Sequence, residues 1–512
     1  MKRFLLPLHV STVCVLLASA GVAQDSSPVD IGSHRELFVD DALVEKISGG
    51  AELRLHHPEP REMVLVHDAP WEGTGSGFHT IFRDGPLYKM YYKAAHIDVL
   101  PGKIRPNAHP LFCCYAESDD GIHWRKPELG LYEFNGSKAN NIVMVTGKID
   151  DLDVDAGHCA VFKDENPAAT PDARYKAFFR SRIPKGVHAF KSPDGLHWSP
   201  MTDHPVLTEG AFDSQNLAFW DVERGEYRAY WRMMTPLKRG GFRGIRTGTS
   251  KDFLNWENQT NVLYVDSPIE HLYINQVRPY YRAPQIYIGF PARYTVREIN
   301  DSMRALPDQQ NREWRGADNP RYGAAITESL LMAGRDGVTF KRWNEGFLRP
   351  GLQRSGTWNY AHQFLAWHVV ETPSAIEDAP PEMSLYASES YWTGKKGSQV
   401  RRYTMRLDGF VSVNAPMKGG ELLTKTITFT GAKLRMNFSS SAAGGIQVEL
   451  QDAAGAPIPG FTLNDCPSIF GDEIERVVTW SGGGDVSALA GRPVRLHFVL
   501  QDADLFSFRF GD

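Results

Sequence analysis

Ser118–Trp124 reads SDDGIHW, and its shape returns as SPDGLHW from Ser192, SKDFLNW from Ser250, GRDGVTF from Gly334 and LDGFVSV from Leu407. The shared logic is a tight turn. An Asp next to Gly bonds the turn backbone through its side chain, and a following aromatic packs beneath. The copies recur at intervals of roughly 55 to 85 residues, too long for a solenoid repeat and suited to one four-stranded unit with variable loops. Two short strands rich in aromatic and β-branched residues precede each copy, such as FHTIFRDG and LYKMYYKA before the first, and NLAFWDVE and EYRAYWRM before the third. Units of this kind predict an all-β chain with a five-bladed β-propeller over 35–415; the alternative is a pair of packed sheets with accidental turn similarity. RELFVDDALVE, Arg35–Glu45, alternates like a strand and is expected to close the ring by pairing into the last blade.

The pattern changes near Gly419. LTKTITFTG, KLRMNFSSS, IQVELQDA, ERVVTWSG, VRLHFVLQD and LFSFRFG alternate apolar with polar residues and predict a small C-terminal β-sandwich over 419–512, structural or accessory in role. Inside the fourth unit, Thr295–Arg321 is the longest irregular segment and is expected to form a rim or lid. HIDVLPGKIRPNAHP, between the second and third strands of the first unit, is long enough to lie over a rim.

The charge balance of −5 over 512 residues, with no basic run, argues against a nucleic-acid partner. Met1–Ala23 has a basic start at Lys2 and Arg3, an apolar middle and small residues at Ala18, Ala20 and Ala23, the make-up of a secretory signal peptide over 1–23. After it no run is long and apolar enough to span a membrane, so the mature chain is expected to be secreted or periplasmic. Cys113, Cys114, Cys159 and Cys466 are read as small buried thiols, their spacing fitting neither a disulfide framework nor a zinc site. Nothing in the sequence speaks to oligomeric state.

In a propeller the inner strand of every blade begins at one mouth of the channel, so loops distant in sequence converge there. This geometry gathers Glu72 and His79; Asp153, Asp155 and His158; Asp213, Gln215 and Asn216; Glu270, His271 and Asn275; Asn359 and His362. Second strands end at the same mouth and bring Lys93, Arg180, Arg182, Arg232 and Arg293. Carboxylates, imidazoles and guanidinium groups around a concave site suit cleavage of a glycosidic bond, in which one carboxyl protonates the leaving oxygen and another attacks or activates water. Asp213 is the expected base or nucleophile, Glu270 the acid and Asp155 the third catalytic candidate. Glu72, His158, Arg180, Arg232, His271, Asn275, Arg293 and His362 are the expected substrate contacts.

Each candidate has a structural alternative. Asp213 would cap a turn, Glu270 would pair with Arg278 or a rim Arg, and Asp155 would sit in a plain loop. The arginines would serve as inter-blade ion pairs, and His158, His271 and His362 as packing residues or as metal ligands from different blades. No cofactor or metal is expected, except that the run Asp150, Asp151, Asp153 and Asp155 could take a structural calcium. It lacks the Gly and Glu positions of an EF-hand loop, which favours a solvated loop.

The DG-aromatic turns, DGPLYKMYY at Asp84–Tyr92, the FDSQN blade entry and the trailing strands resemble the five-bladed propeller glycosidases related to family 32 and family 43 glycoside hydrolases. The chain is similar in particular to exported bacterial proteins of the family 32 N-terminal-like type, over most of Arg35–Ala415. The resemblance implies a carbohydrate substrate, oligo- or polysaccharide, cleaved by mouth-lining carboxylates. The Asn-Asp-Pro-Asn-Gly-like, Arg-Asp-Pro and Glu-Cys motifs of the invertase group are absent, so fructan or sucrose hydrolysis is not carried over. Missing motifs also fit a carbohydrate-binding propeller without turnover, and the turns resemble those of sialidases, whose site wants a Tyr nucleophile beside an Arg triad.

Overall fold

The computed structural model describes residues 27–105, 108–149, 151–235, 241–393 and 397–512. The leader expected over 1–23 and Asp150 of the acidic run lie outside the described residues. The chain is all-β, with five small sheets arranged as the blades of a propeller.

Blade one pairs Gly77–Asp84, Leu87–Ala94, Phe112–Ser118 and Trp124–Arg125 in sequence order. Blade two uses Leu152–Lys163, Tyr175–Ser181, Gly186–Ser192 and Ser199–Pro200, and blade three Leu217–Asp221, Glu226–Thr235, Phe242–Ser250 and Glu257–Asn261. In blade four Arg278–Tyr280, Ala283–Gly289, Met332–Gly334 and Thr339–Arg342 form the sheet, with the pair Ala292–Val296 and Ala325–Ser329 continuing it. Blade five pairs Val370–Thr372, Glu382–Glu389 and Gln399–Met405, and its outer strand is Glu59–Val66 from before blade one.

That last pairing corrects the expected closure. The ring is closed by the N-terminal flank, but by Glu59–Val66 and not by Arg35–Glu45. Arg35–Leu37, Val44–Ser48 and Glu52–Leu55 pair instead with strands beyond residue 410, within a ten-stranded sheet that includes Lys433–Asp452 and Val494–Gly511. Residues 29–55 thus belong by hydrogen bonding with the C-terminal strands, in one network that also holds Lys433–Asp452 and Val494–Gly511. One apolar core joins this sheet to the propeller, since Ile286, Phe290 and Leu385 of blades four and five share it with Phe438, Val448 and Phe508.

The repeated turns carry out the chemistry expected of them in four places. Ser118 Oγ accepts from Gly121 N at 2.9 Å, and Asp120 Oδ1 accepts from Ile122 N and His123 N at 2.7 and 2.8 Å. Asp194 and Asp252 repeat the pattern with Leu196 N, His197 N, Leu254 N and Asn255 N, and Asp336 with Val338 N and Thr339 N. Each joins the third to the fourth strand of a blade and docks on the preceding blade. Tyr386 of blade five donates to Gly121 O at 2.6 Å, and Tyr230 of blade three to Gly337 O at 2.8 Å. A Cβ on Gly195, whose φ is +83°, would meet the Tyr91 hydroxyl of blade one at 2.3 Å. The fifth copy is different. Leu407–Val413 leads out of the propeller into the ten-stranded sheet, which is why blade five needs its outer strand from elsewhere.

At the axis two buried amides tie the blades. Gln215 Nε2 donates to Phe78 O, Thr80 Oγ1 and Cys159 O at 3.2, 3.0 and 3.3 Å; Gln276 Nε2 donates to Gln215 Oε1 and Leu365 O at 3.0 and 2.8 Å. Those acceptors come from blade one, blade two, the entry to blade three and the entry to blade five, so the channel is closed by hydrogen bonds that fix the radial packing. The four described cysteines are buried thiols, with Cys113 and Cys159 sulfurs 2.9 Å apart across blades one and two.

Candidate active site at the propeller mouth

The segment expected to be irregular holds three helices, Asp301–Arg304, Gln309–Asp318 and Pro320–Ala324. Asn300 caps the first by accepting from Met303 N, and Asn319 caps the last by accepting from Arg321 N. Gln309–Asp318 packs on the hairpin Asp98–Leu100 with Lys103–Arg105, where Ile104 N donates to Asp318 Oδ1 at 3.3 Å. The two rim excursions therefore meet, and they roof the mouth on the side of blades four, five and one. Beneath them Phe78, Ile97, Ile104, Tyr294, Tyr360, Tyr391 and Trp392 share an aromatic-rich core. On the side of blades two and three the mouth is open among the described residues, along the half-exposed side chains of Arg182 and Asp213.

At that open side the FDSQN loop is fastened by Ser214 Oγ, which donates to Tyr273 O at 2.8 Å. This sets Asp213 beside Arg232, with which it pairs, and the Arg232 guanidinium lies 4.9 Å over the Tyr273 ring. Arg243 lies over the same ring at 5.3 Å and over Tyr294 at 4.7 Å. Burial opposes ionisation of Tyr273, but Arg232, a hydrogen bond from the Tyr360 hydroxyl and Arg243 outweigh it, and the phenol is held below its ordinary value of 10. Tyr360 is pushed the other way, by burial and by Tyr273 itself, and stays the proton donor of the pair.

Asp155 also lies at the mouth. His158 Nδ1 is 3.1 Å from it, and Arg180 and Arg182 reach it at 3.4 Å. Burial would raise its pKa, yet His158, Arg180 and Arg182 hold it well below the usual carboxylate range, so it is a fixed anion and not a proton donor. It stands on the strand Leu152–Lys163 and not in a loop, and among the described residues no group of His, Cys, Asp and Glu is placed to hold a metal.

Glu270 is held by arginines of its own. Arg293 and Arg342 engage its two oxygens at 3.3 and 2.8 Å, and Arg293 also holds Glu328, at the edge of blade four. Rim arginines, not Arg278, are its partners; Arg278 meets His368 and Glu165. Glu72 is buried in the upper part of blade one, accepting from Tyr92 Oη and Lys126 Nζ, both at 2.6 Å, and burial pushes its carboxyl up. Asn275 Oδ1 accepts from Val277 N at 3.3 Å as a turn brace, and His271 Nδ1 accepts from Arg243 N at 3.2 Å. His362 is buried, accepts from Trp358 N at 3.0 Å and is lowered to about 4 by burial, a neutral packing residue. Of the expected set, Asp155, His158, Arg180, Asp213 and Arg232 come together around Tyr273; Glu270 and Arg293 pair with each other, and Glu72 with Tyr92 and Lys126.

Lys93 completes the site. It is 7% exposed, its Nζ lies 4.7 Å over Phe78 and 5.2 Å over Tyr391, and it donates to Tyr391 Oη at 3.1 Å. With Gly77, Tyr273, Tyr360 and Ser388 it lines a cavity of about 10 Å³, room for one water. Burial lowers its pKa from 10.5 to about 8. Unfolding therefore takes up a proton between pH 8 and 10.5, and stability climbs with pH across that window. Lys93→Met is expected to remove that climb and to be more stable at pH 7 by on the order of 3 kcal/mol. Urea titrations of both proteins at pH 7 and pH 10 check this; parallel pH dependence would mean that Lys93 keeps an ordinary pKa.

No family model matches the chain, and no curated protein matches it. Solved structures do. A protein described as a glycoside hydrolase aligns at 12% identity and a TM-score of 0.42, over 68% of this chain and 92% of its own. An N-acetylgalactosamine deacetylase from F. plautii in complex with blood group B trisaccharide gives 12% and 0.39, over 69% and 94%. The fructofuranosidase from Schwanniomyces occidentalis complexed with fructose gives 12% and 0.36, over 88% and 97%. Likenesses at this level do not bear on the chemistry of this chain.

Proposed function

We propose that this protein is an exported glycoside hydrolase that cleaves an oligo- or polysaccharide on the open side of the propeller mouth. One observation supports the reading above others. Arg232 joins a half-exposed carboxylate, Asp213, to a phenol, Tyr273, whose pKa is lowered by the same guanidinium, by Tyr360 and by Arg243. A glycosidic bond needs a carboxylate to attack or to activate water and a proton for the leaving oxygen. In this reading Asp213 takes the first role, as expected from the sequence. Tyr273 takes the second in place of Glu270, since a phenol moved down from 10 toward the working pH is a better general acid. Asp155, with His158, Arg180 and Arg182, supplies a fixed charge beside the reacting groups. Export rests on the make-up of residues 1–23; no described helix is long and apolar enough to cross a membrane.

A second reading, carbohydrate binding without turnover, is favoured by a specific observation. Glu72, a carboxyl pushed upward by burial, is already engaged by Tyr92 Oη and Lys126 Nζ and is not free to protonate a leaving group. Screening the protein against a panel of glycans by mass spectrometry, with product anomers followed by NMR, separates the two. Shortened products support hydrolysis; saturable binding with intact glycans supports the second reading.

A further inference from the structure

Among the described residues the mouth gathers more cations than carboxylates. Lys93 is buried, with two rings beneath it, and among the described residues Tyr391 Oη is its hydrogen-bond partner and no carboxylate pairs with it. Arg243 spreads over Tyr273 and Tyr294, its guanidinium touching only His271 Nδ1 at 3.5 Å, again with no carboxylate among the described residues. Arg232 is 4% exposed; Asp213 and Ala211 O take two of its nitrogens, and the buried Nη1 has no acceptor. Arg180 and Arg182 share the single carboxylate of Asp155. The chain as a whole carries a net charge of −5, so this local excess is of the opposite sign to the molecule. Lys93 is buried without a counter-charge, which is costly, and half-buried Arg243 also has no carboxylate partner among the described residues; unneutralised cations beside a cleft attract a ligand that brings the negative charge.

We infer that the mouth recognises an acidic glycan, whose carboxylate or sulfate group sits against Arg243 and Arg182, with the buried charges of Arg232 and Lys93 behind them, while the sugar lies toward Asp213. Guanidinium groups in fixed planes suit bidentate contact with either anion. Arg182, half-exposed at the open edge, draws the ligand in and is screened by salt. The inference rests on the mouth being the glycan site proposed above, and it adds the charge class of the substrate.

The test is calorimetric titration of the full chain with matched probes on galactose and glucose scaffolds: trigalacturonate, oligoglucuronate, the corresponding 6-O-sulfated oligosaccharides, and the uncharged oligosaccharides. The acidic probes are expected to bind at least about tenfold more tightly than the neutral ones, with the advantage shrinking as salt rises from roughly 50 to 500 mM. A preference between uronate and sulfate probes assigns the anion. Arg243→Gln is expected to remove about tenfold from the acidic probes only, and Arg243→Lys to restore part of it. Arg182→Gln, at an exposed position, gives the same direction with less effect and covers the case in which Arg243→Gln does not fold. Neutral probes binding as tightly as acidic ones, acidic probes failing to bind, or both Gln variants keeping full acidic affinity each overturn the inference. Acidic binding without cleavage of any glycan upholds it and removes the hydrolase reading. Cleavage of neutral glycans alone does the reverse.

Discussion

Asp213→Asn is expected to lower kcat by at least about 100-fold on a glycan that the native protein cleaves, and Tyr273→Phe to do nearly the same, with KM changing far less in both. The two residues sit on different blade entries, and they are held together by Ser214, which fastens one loop to the other, and by Arg232, which touches both side chains. Removing the Asp213 charge takes away the group that attacks or activates water. Removing the Tyr273 hydroxyl takes away the proton donor. A structural role for Tyr273 would lower the rate without altering its pH profile, whereas a general acid leaves a signature. The native rate is expected to fall above the lowered pKa of Tyr273, and Tyr273→Phe to lose that alkaline limb along with most of its activity.

Glu270→Gln sharpens the point from the other side. Its oxygens are held by Arg293 and Arg342 at the edge of blade four, so this variant is expected to keep kcat within about threefold and to lose some stability through the two guanidinium groups left behind. A collapse of kcat in Glu270→Gln, with Asp213→Asn near native, would move the chemistry to blade four and sink the site described here.

The propeller was legible because its information is local. Ser118, Asp120 and Gly121 make their turn with neighbours two and three residues away, and the same contacts recur at Ser192 and Ser250, with the Asp contacts alone kept at Asp336. Ring closure was not legible in detail, because Arg35–Glu45 and Glu59–Val66 are both strand-like and their choice of partner is made by sheets several hundred positions away. The site fell between these cases. The rule that blade entries converge on the mouth found Asp155, Asp213 and Arg232, and it placed Tyr273 in view within DSPIEHLYIN, but attention went to the charged neighbours Glu270 and His271. An antiparallel third strand also begins at the mouth, and applying that rule to Phe242–Ser250 would have found Arg243. Depression of a phenol pKa by two guanidinium groups depends on contacts across blades three and four, which no spacing in the sequence encodes.

The fifth, divergent copy of the turn carries the largest expected effect on stability. Asp408 is fully buried and is met by Arg35 at 3.2 Å, Arg282 at 2.8 Å, Tyr280 Oη at 2.9 Å, Ser507 Oγ at 2.9 Å and Asn437 Nδ2 at 3.1 Å. Those partners come from the N-terminal flank, blade four and two strands of the ten-stranded sheet, so one carboxylate joins the propeller to the sheet. Asp408→Ala leaves Arg35 with Glu475, and Arg282 with Glu475 and a longer contact to Glu371, and it is expected to cost about 3 to 5 kcal/mol in urea unfolding at pH 7. The sign of the pH dependence follows from the same contacts. Burial would raise the Asp408 pKa, but Arg35 and Arg282 hold it below its ordinary 3.8, so the stabilisation is complete above that value and is lost as pH falls through the folded one. Native protein and Asp408→Ala should therefore differ most near neutrality and converge on acidification below about pH 4. Limited proteolysis adds a spatial check, with the variant expected to be cut between Met405 and Gly420 while the blades resist. Equal urea midpoints for the two proteins at pH 7 would mean that the apolar core shared by Ile286, Phe290, Phe438 and Phe508 holds the two parts together without the buried charge.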